Sequence, residues 1–341
     1  MSLRAADTKE FKVFRKRADK MSNLLTSLLG AAGQGILWGI MALGVYITYK
    51  LLDIADLTVD GSFALGGCTC AVLILAGVNP VLATIIAIIA GLAAGFVTGI
   101  LHTVFDIPAI LAGILTQISL WSINLRIQGG RSNVPLLNDE TIISKFVGRS
   151  GQTVVSTASP FIQQLGLTQS QASLIVGVVV VAVIIIVMYW FFGTEIGSAL
   201  RATGNNEAMI RALGVNTKRT KLLALMLSNG LVAMSGAFVA QMQKYADIGM
   251  GQGAIVIGLA AIIIGEVLMK RCINFGLKLL SAAIGAVIYF IIRAVVLYLG
   301  LDANDMKLIS AVIVAIALAI PTASQKLAVK RAYKEGDGEN A

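Results

Sequence analysis

Between Ala172 and Phe192 the chain reads ASLIVGVVVVAVIIIVMYWFF, a run with no charged residue. At about 1.5 Å of rise per residue, a helix of this length reaches across the ~30 Å hydrocarbon layer of a bilayer. A helix apolar on every face is stable only inside a large core or in lipid. The feature recurs, with apolar runs near 27–49, 61–78, 80–104, 107–124, 172–192, 222–242, 251–269, 275–299 and 307–320. The runs are continuous rather than alternating, which excludes a membrane β-barrel. With 57% hydrophobic residues, 13% charged residues and a mean hydropathy of +0.84, the chain has the composition of a membrane protein rather than a soluble domain. The expected fold is all-α, a polytopic helical membrane bundle of about 8–10 transmembrane helices.

The charges are distributed as a membrane protein requires. The formal net charge is +9, but the basic residues sit at the chain ends and between the apolar runs rather than along one stripe. They read as anchors facing anionic lipid, not as a nucleic-acid surface. Residues 1–22 form a basic tail carrying Arg4, Lys9, Lys12, Arg15, Lys16, Arg17 and Lys20, expected in the cytoplasm or at its membrane interface. Residues 23–321 form the transmembrane domain, and 322–341 a second basic cytoplasmic tail. Within the domain, 125–170 is the expected external loop and 193–221 the expected cytoplasmic loop. Cys68, Cys70 and Cys272 have no zinc-ligand spacing and read as small buried residues. His102 stands alone at a run boundary and reads as interfacial. Gly91, Gly95 and Gly99, like Gly35 and Gly39, repeat every four residues and read as close helix packing.

Counting crossings exposes a parity problem. If 193–221 is cytoplasmic, 125–170 is external and 102–108 internal, yet three runs precede 107 where a cytoplasmic N-terminus needs an even number. The suspect stretch is LLDIADLTVDGSFALGG, residues 51–67, with Asp53, Asp56 and Asp60 ahead of Gly61, Gly66 and Gly67. An ionised aspartate at mid-bilayer costs about 2.5–3.5 kcal/mol on insertion scales, so these carboxylates belong at an interface or around a wet cavity. Either a broken or re-entrant segment lies near 51–70, or the basic tail is external despite its charge.

The stretch TGNNEAMIRALG, residues 203–214, is a polar interruption followed by Lys218, Arg219 and Lys221. Asn205 is the expected N-cap, Glu207 sits in the first turn and Arg211 in the last, and Gly214 is a natural C-terminal stop. Ala208, Met209, Ala212 and Leu213 share one face, while Asn206 and Glu207 fall on another. So short a helix is marginal alone, so its apolar face should pack on a partner protein, on its own bundle or on lipid.

The run GTEIGSALRATGNNEAMIRALGVNTKRTKLLALMLSNGLVAMSGAFVA resembles the cytoplasmic loop and following helix of permease subunits of bacterial ATP-binding-cassette (ABC) importers, in the branched-chain amino acid and ribose permease superfamily. Arg201, Ala202, Leu213, Gly214, Val215, Asn216 and Thr217 carry the match. LDIADLTVDGSFALGG and SINLRIQGGRSNVPLL are similar to the tryptophan and tyrosine permease branch, and the resemblance spans about 30–320. It implies a coupling helix that docks on a separate ATPase subunit, involving Asn205, Asn206, Glu207, Met209, Arg211, Leu213 and Gly214. It also implies an extracytoplasmic solute-binding protein, a second permease copy or paralogue, and an amino acid, nucleoside or sugar as cargo. The chain has no G-x-x-x-x-G-K-[ST] phosphate loop, so no cofactor is expected in it, and ATP and magnesium belong to the partner.

For the solute path the candidates are Asp56, Thr58, Asp60 and Ser62, with Ser228 and Asn229 as lesser ones. The ordinary use of such serine and asparagine side chains is interhelical hydrogen bonding worth roughly 0.6–2 kcal/mol, and of the aspartates, capping of the glycine break. The competing function is an ion-gradient-driven transporter or channel, which needs ionisable groups deep in the bundle. Glu266 and Arg293 are the candidates in the later runs. Nothing in the spans supports an intramembrane enzyme.

Overall fold

The computed structural model describes residues 3–137, 139–147, 168–269 and 274–300, and beyond them 305, 308, 310–316 and 319, with side chains from residue 25 onward. Residues 148–167 of the loop expected to be external, the run at 307–320 in part, Cys272 and the C-terminal tail lie outside the described residues. Among the described residues, seven helices are long and apolar enough to cross a membrane, and one shorter apolar helix joins them.

The first helix, α1 (Leu3–Tyr46), continues into a π-helical turn at Ile47–Leu51, and its apolar part is Leu25–Leu51. The backbone then leaves the helix over 52–57, with Asp53 in the left-handed region at φ 55°. Helix α2 (Thr58–Leu75) runs without interruption through Gly61, Gly66 and Gly67. The chain thus leaves the helix over 52–57, between two spans and ahead of the glycines, which serve another purpose. A Cβ on Gly66 would overlap the Ala233 backbone. Helix α3 (Pro80–Thr103) starts with Asn79 accepting from the Val81 amide at 2.9 Å and proline at the first helical position, where its missing N–H costs nothing.

Helix α4 (Ala109–Ile127) leads to strand β1 (Asn133–Pro135) and a 3-10 turn at Ser144–Phe146. Helix α5 (Gln169–Gly193) opens with a capping box between Thr168 and Gln171. It lies at the rim, exposing Val179, Val183, Ile186, Val187 and Trp190 as a lipid-facing helix does. Two short helices follow, α6 (Glu195–Asn205) and α7 (Glu207–Ala212), then the long α8 (Thr217–Gln243). Helix α8 is the axis of the bundle, packed on α1, α2 and α3. Strand β2 (Tyr245–Asp247) pairs antiparallel with β1, Val134 opposite Ala246. Helices α9 (Ala254–Leu268) and α10 (Phe275–Tyr298) pack on each other and on α1.

Contacts between elements sort the bundle into two faces. The β1–β2 ladder marks one. The other gathers Asp106 with Lys218 at 3.3 Å, Lys50 with Glu266 at 2.9 Å, and Gly204 against the Leu51 carbonyl. Three crossings, α1 to α3, separate Leu25 from Asp106, so Leu25 lies on the ladder face.

The crossing from β2 to the other face is discontinuous. Residues 248–253 are turns, and α9 has 15 residues, ~22 Å of helix, too short to span alone. The sequence suggested an ordinary span at 251–269; residues 251–253 at its head are non-helical, with Gly253 at φ +79°.

Candidate functional site

Non-helical backbone at membrane depth persists only where protein buries it or water reaches it. The turns at 248–253 are held by protein contacts and border an open volume. They line a cavity of about 830 Å³ on the ladder side, walled by α1, α8 and α10 and roofed by the two strands. Polar side chains converge on it: Gln34, Gln243, Asp247, Gln252 and Arg293, beside the ring of Trp38. Trp38 is 6% exposed, its ring centroid 4.6 Å from that of Phe63 and 5.4 Å from that of Phe290 in tilted contacts, and among the described residues its buried indole Nε1 has no hydrogen-bond partner.

The floor of this cavity is fastened by Asp60. Its carboxylate accepts from the Gly253 and Ile255 amides at 2.9 Å each, capping α9 from a neighbouring helix. Two of the four unpaired amides that begin any helix are thereby satisfied. Gly251 packs directly on the Asp60 carbonyl, leaving no room for a side chain.

The other residues singled out for a solute path lie in helix interfaces instead of on the large cavity. Asp56 is 2% exposed; it accepts from the Thr58 amide at 3.0 Å and from Asn229 Nδ2 at 2.7 Å. Ser62 donates to Asn229 Oδ1 at 2.7 Å, so Asn229 on α8 joins the break at 52–57 to the body of α2. Thr58 shares its hydroxyl with Thr98 at 2.8 Å, which donates to Thr116 at 2.9 Å, tying α2, α3 and α4. Ser228 donates to the Gly44 carbonyl at 2.8 Å, tying α8 to α1. Asp60 borders a niche of about 20 Å³.

On the opposite face the loop helix is α7, and its cap differs from the expectation by one residue. Asn206 is the N-cap, accepting from the Met209 amide at 3.0 Å, while Asn205 ends α6. The extra residue is absorbed because α6 persists to 205 and the extended backbone at Asn206, φ −154°, turns the chain between the helices. Gly214 ends the motif at φ +86°. Glu207 is paired within the chain, to Arg211 at 2.9 Å and to Lys221 on α8 at 2.6 Å. The Lys221 hydrogen bond, foremost, holds the Glu207 carboxyl below the ordinary glutamate range. Of the apolar residues on α7 only Ile210 is buried; Met209 is 59% and Leu213 67% exposed, with Ala208 and Ala212 exposed beside them. Arg201 on α6 lies 5.1 Å over the Phe275 ring, fixing the loop to α10.

Sequence reasoning missed the cavity, and a signal for it existed: Gly249, Gly251 and Gly253 alternate just ahead of an apolar run. It found Arg293 without a role, and the structure places that residue on the cavity wall.

A bundle of apolar crossings in which one crossing is broken over a polar-lined cavity has the architecture of a membrane permease. The family described as "Branched-chain amino acid transport system / permease component" matches residues 27–319, and the chain belongs to it, a multi-pass protein of the bacterial inner membrane. It is 38% identical over 295 residues to the tyrosine transport system permease protein of Clostridioides difficile (strain R20291), covering 86% of this chain and 91% of that one. The ribose import permease protein RbsC of Escherichia coli (strain K12) is 23% identical over 288 residues, 84% of this chain and 82% of its own. PsaBC from Streptococcus pneumoniae in complex with Fab aligns at TM-score 0.47 and 18% identity, over 88% and 94% of the two chains, a likeness that carries no argument.

Proposed function

We propose that the chain is the permease subunit of an ABC importer for an amino acid. A binding protein delivers the solute on the ladder side, and a separate ATPase subunit, carrying ATP and magnesium, seats on α7. Two permease copies, or this chain and a paralogue, enclose the path. The observation that carries this is the bare apolar face formed by Ala208, Met209, Ala212 and Leu213, on a helix otherwise pinned to its own bundle by the Glu207–Lys221 pair and buried Ile210. A six-residue helix held in place with its apolar side outward is suited to a groove in a partner. The tyrosine permease relative favours an amino acid, aromatic ones included, over a sugar.

The same arrangement supports a route for the stroke. From α7 the Glu207–Lys221 pair leads to α8, the Asn229 contacts lead to α2, and Asp60 leads to the α9 cap under the cavity. An ion-gradient mechanism is disfavoured at Glu266, because Lys50 already neutralises it. Reconstitution decides between them: uptake of labelled tyrosine, tryptophan or leucine into proteoliposomes should require the ATPase subunit and ATP. Uptake by the permease alone under an ion gradient would refute the importer.

A further inference from the structure

We infer that the outer cavity holds the transported solute as a zwitterion, the Arg293 guanidinium taking its carboxylate and the Asp247 carboxylate its ammonium. The inference rests on the importer function proposed above and deepens it to a site and a ligand chemistry. Arg293 stands on α10, within two turns of its outer end, with its guanidinium 5.6 Å over the Phe290 ring. Among the described residues no carboxylate pairs with it. A cation in a membrane helix with no ion partner faces water or a ligand by default. Asp247 spends one oxygen on the Gly249 amide at 2.7 Å, and its other oxygen meets no protein donor among the described residues. The two opposite charges line one cavity yet do not close on each other, so a gap separates them.

A ligand carrying both charges satisfies both walls. A simple anion meets Asp247, a simple cation meets Arg293, and an uncharged sugar leaves both without an ion partner. The three glutamines, Gln34, Gln243 and Gln252, have side-chain amides with no protein partner among the described residues and can complete the ligand's hydrogen bonds. The α9 N-terminus next to the cavity is not a competing anion site, because Asp60 occupies its Gly253 and Ile255 amides. Val239, Ile257 and the Trp38 ring supply an apolar wall for the side chain of the solute. A volume near 830 Å³ accepts an amino acid as large as tyrosine with its first waters.

The test is equilibrium binding to the purified full chain in lipid nanodiscs. Labelled L-tyrosine, L-tryptophan and L-leucine are the probes, and the tightest of them is challenged with its own amine and acid analogues and with D-ribose. The expected result is that either charge-deleted analogue competes at least ~10-fold more weakly than the parent, the loss of one charge-assisted contact. Arg293→Gln should weaken the amino acid by a similar factor but leave the affinity for the carboxylate-free amine unchanged, and Arg293→Lys should restore part of the loss. Asp247→Asn should do the converse. A merely structural Arg293 would lower amine and amino acid together, and that outcome, or ribose displacing the probe, would overturn the inference. Absent binding alongside intact ATP-driven uptake sinks this site and spares the importer. Binding with ion-driven uptake and no need for the ATPase does the reverse.

Discussion

Asp60 offers the sharpest separation between a residue that touches solute and one that holds the fold. Its carboxylate accepts two backbone N–H groups, from Gly253 and Ile255, at 2.9 Å each. Hydrogen bonds to a charged acceptor contribute about 1.5–3 kcal/mol apiece, so Asp60→Ala forfeits ~3–6 kcal/mol before relaxation. The adjoining niche of about 20 Å³ has room for a single water, which can re-pair one amide. That brings the expected net cost to ~2–3 kcal/mol. Asp60→Asn keeps one acceptor but turns an NH2 toward the other amide, so its cost falls in the same range. Unfolding is read as the rate at which a thiol-reactive dye reaches Cys68 and Cys70, both fully buried, in a Cys272→Ser background. If the cap is lost in the unfolding transition state, ~2–3 kcal/mol corresponds to labelling roughly 30- to 160-fold faster. A variant that labels at the wild-type rate while losing uptake would refute the capping argument and return Asp60 to the solute path.

Three further outcomes are expected. Met209→Asp and Leu213→Asp should abolish co-purification of the ATPase subunit while moving stability by only ~0.5 kcal/mol, because both side chains are mostly exposed; retained co-purification with normal uptake defeats the docking assignment. Glu207 has a depressed folded pKa, so its contribution is complete above the unfolded value of about 4.3 and lost as pH falls through the folded one. Hydrogen exchange of the 207–214 amides, corrected for intrinsic rate, should therefore rise only at acid pH, and Glu207→Gln should remove that dependence. A cysteine at Ser22, again with Cys272→Ser, should react with an impermeant maleimide from the periplasmic side; labelling only in inverted vesicles would contradict the crossing count.

The spans were legible because a single physical term dominates them: a charge-free run such as 172–192 has no other stable state. The loop helix was legible nearly to the residue, since Gly214 needs its positive φ and the apolar residues fall on one side. What local sequence could not show was the partner of each polar side chain. Asp56, Ser62 and Asn229 are polar residues in apolar surroundings whether they meet a solute or one another, and the 167 residues between Ser62 and Asn229 hide the contact. The broken crossing was obscured for a related reason. Gly249, Gly251 and Gly253 at the head of an apolar run look the same as packing glycines until the cavity beneath them is seen.

Close packing also determines where such a bundle can bend. Helices α2 and α8 meet backbone to backbone: a Cβ on Gly66 would strike Ala233, and one on Gly236 would strike the Phe63 carbonyl. Surfaces in that contact cannot slide past one another without a void or a clash, so the pair moves as one body. Any displacement entering at α7 must then be taken up where the backbone leaves the helix, at 52–57 and 248–253. These two segments flank the pair, and Asp53 and Gly253 already hold left-handed conformations there. Spin labels on the outer ends of α2 and α8 should therefore keep their separation when the ATPase is trapped in its closed state. A pair placed across 248–253, on β2 and on the middle of α9, should change by several ångströms. The opposite pattern, a shifting α2–α8 distance over a fixed α9, would show that the glycine contact is the moving joint and that the breaks are passive.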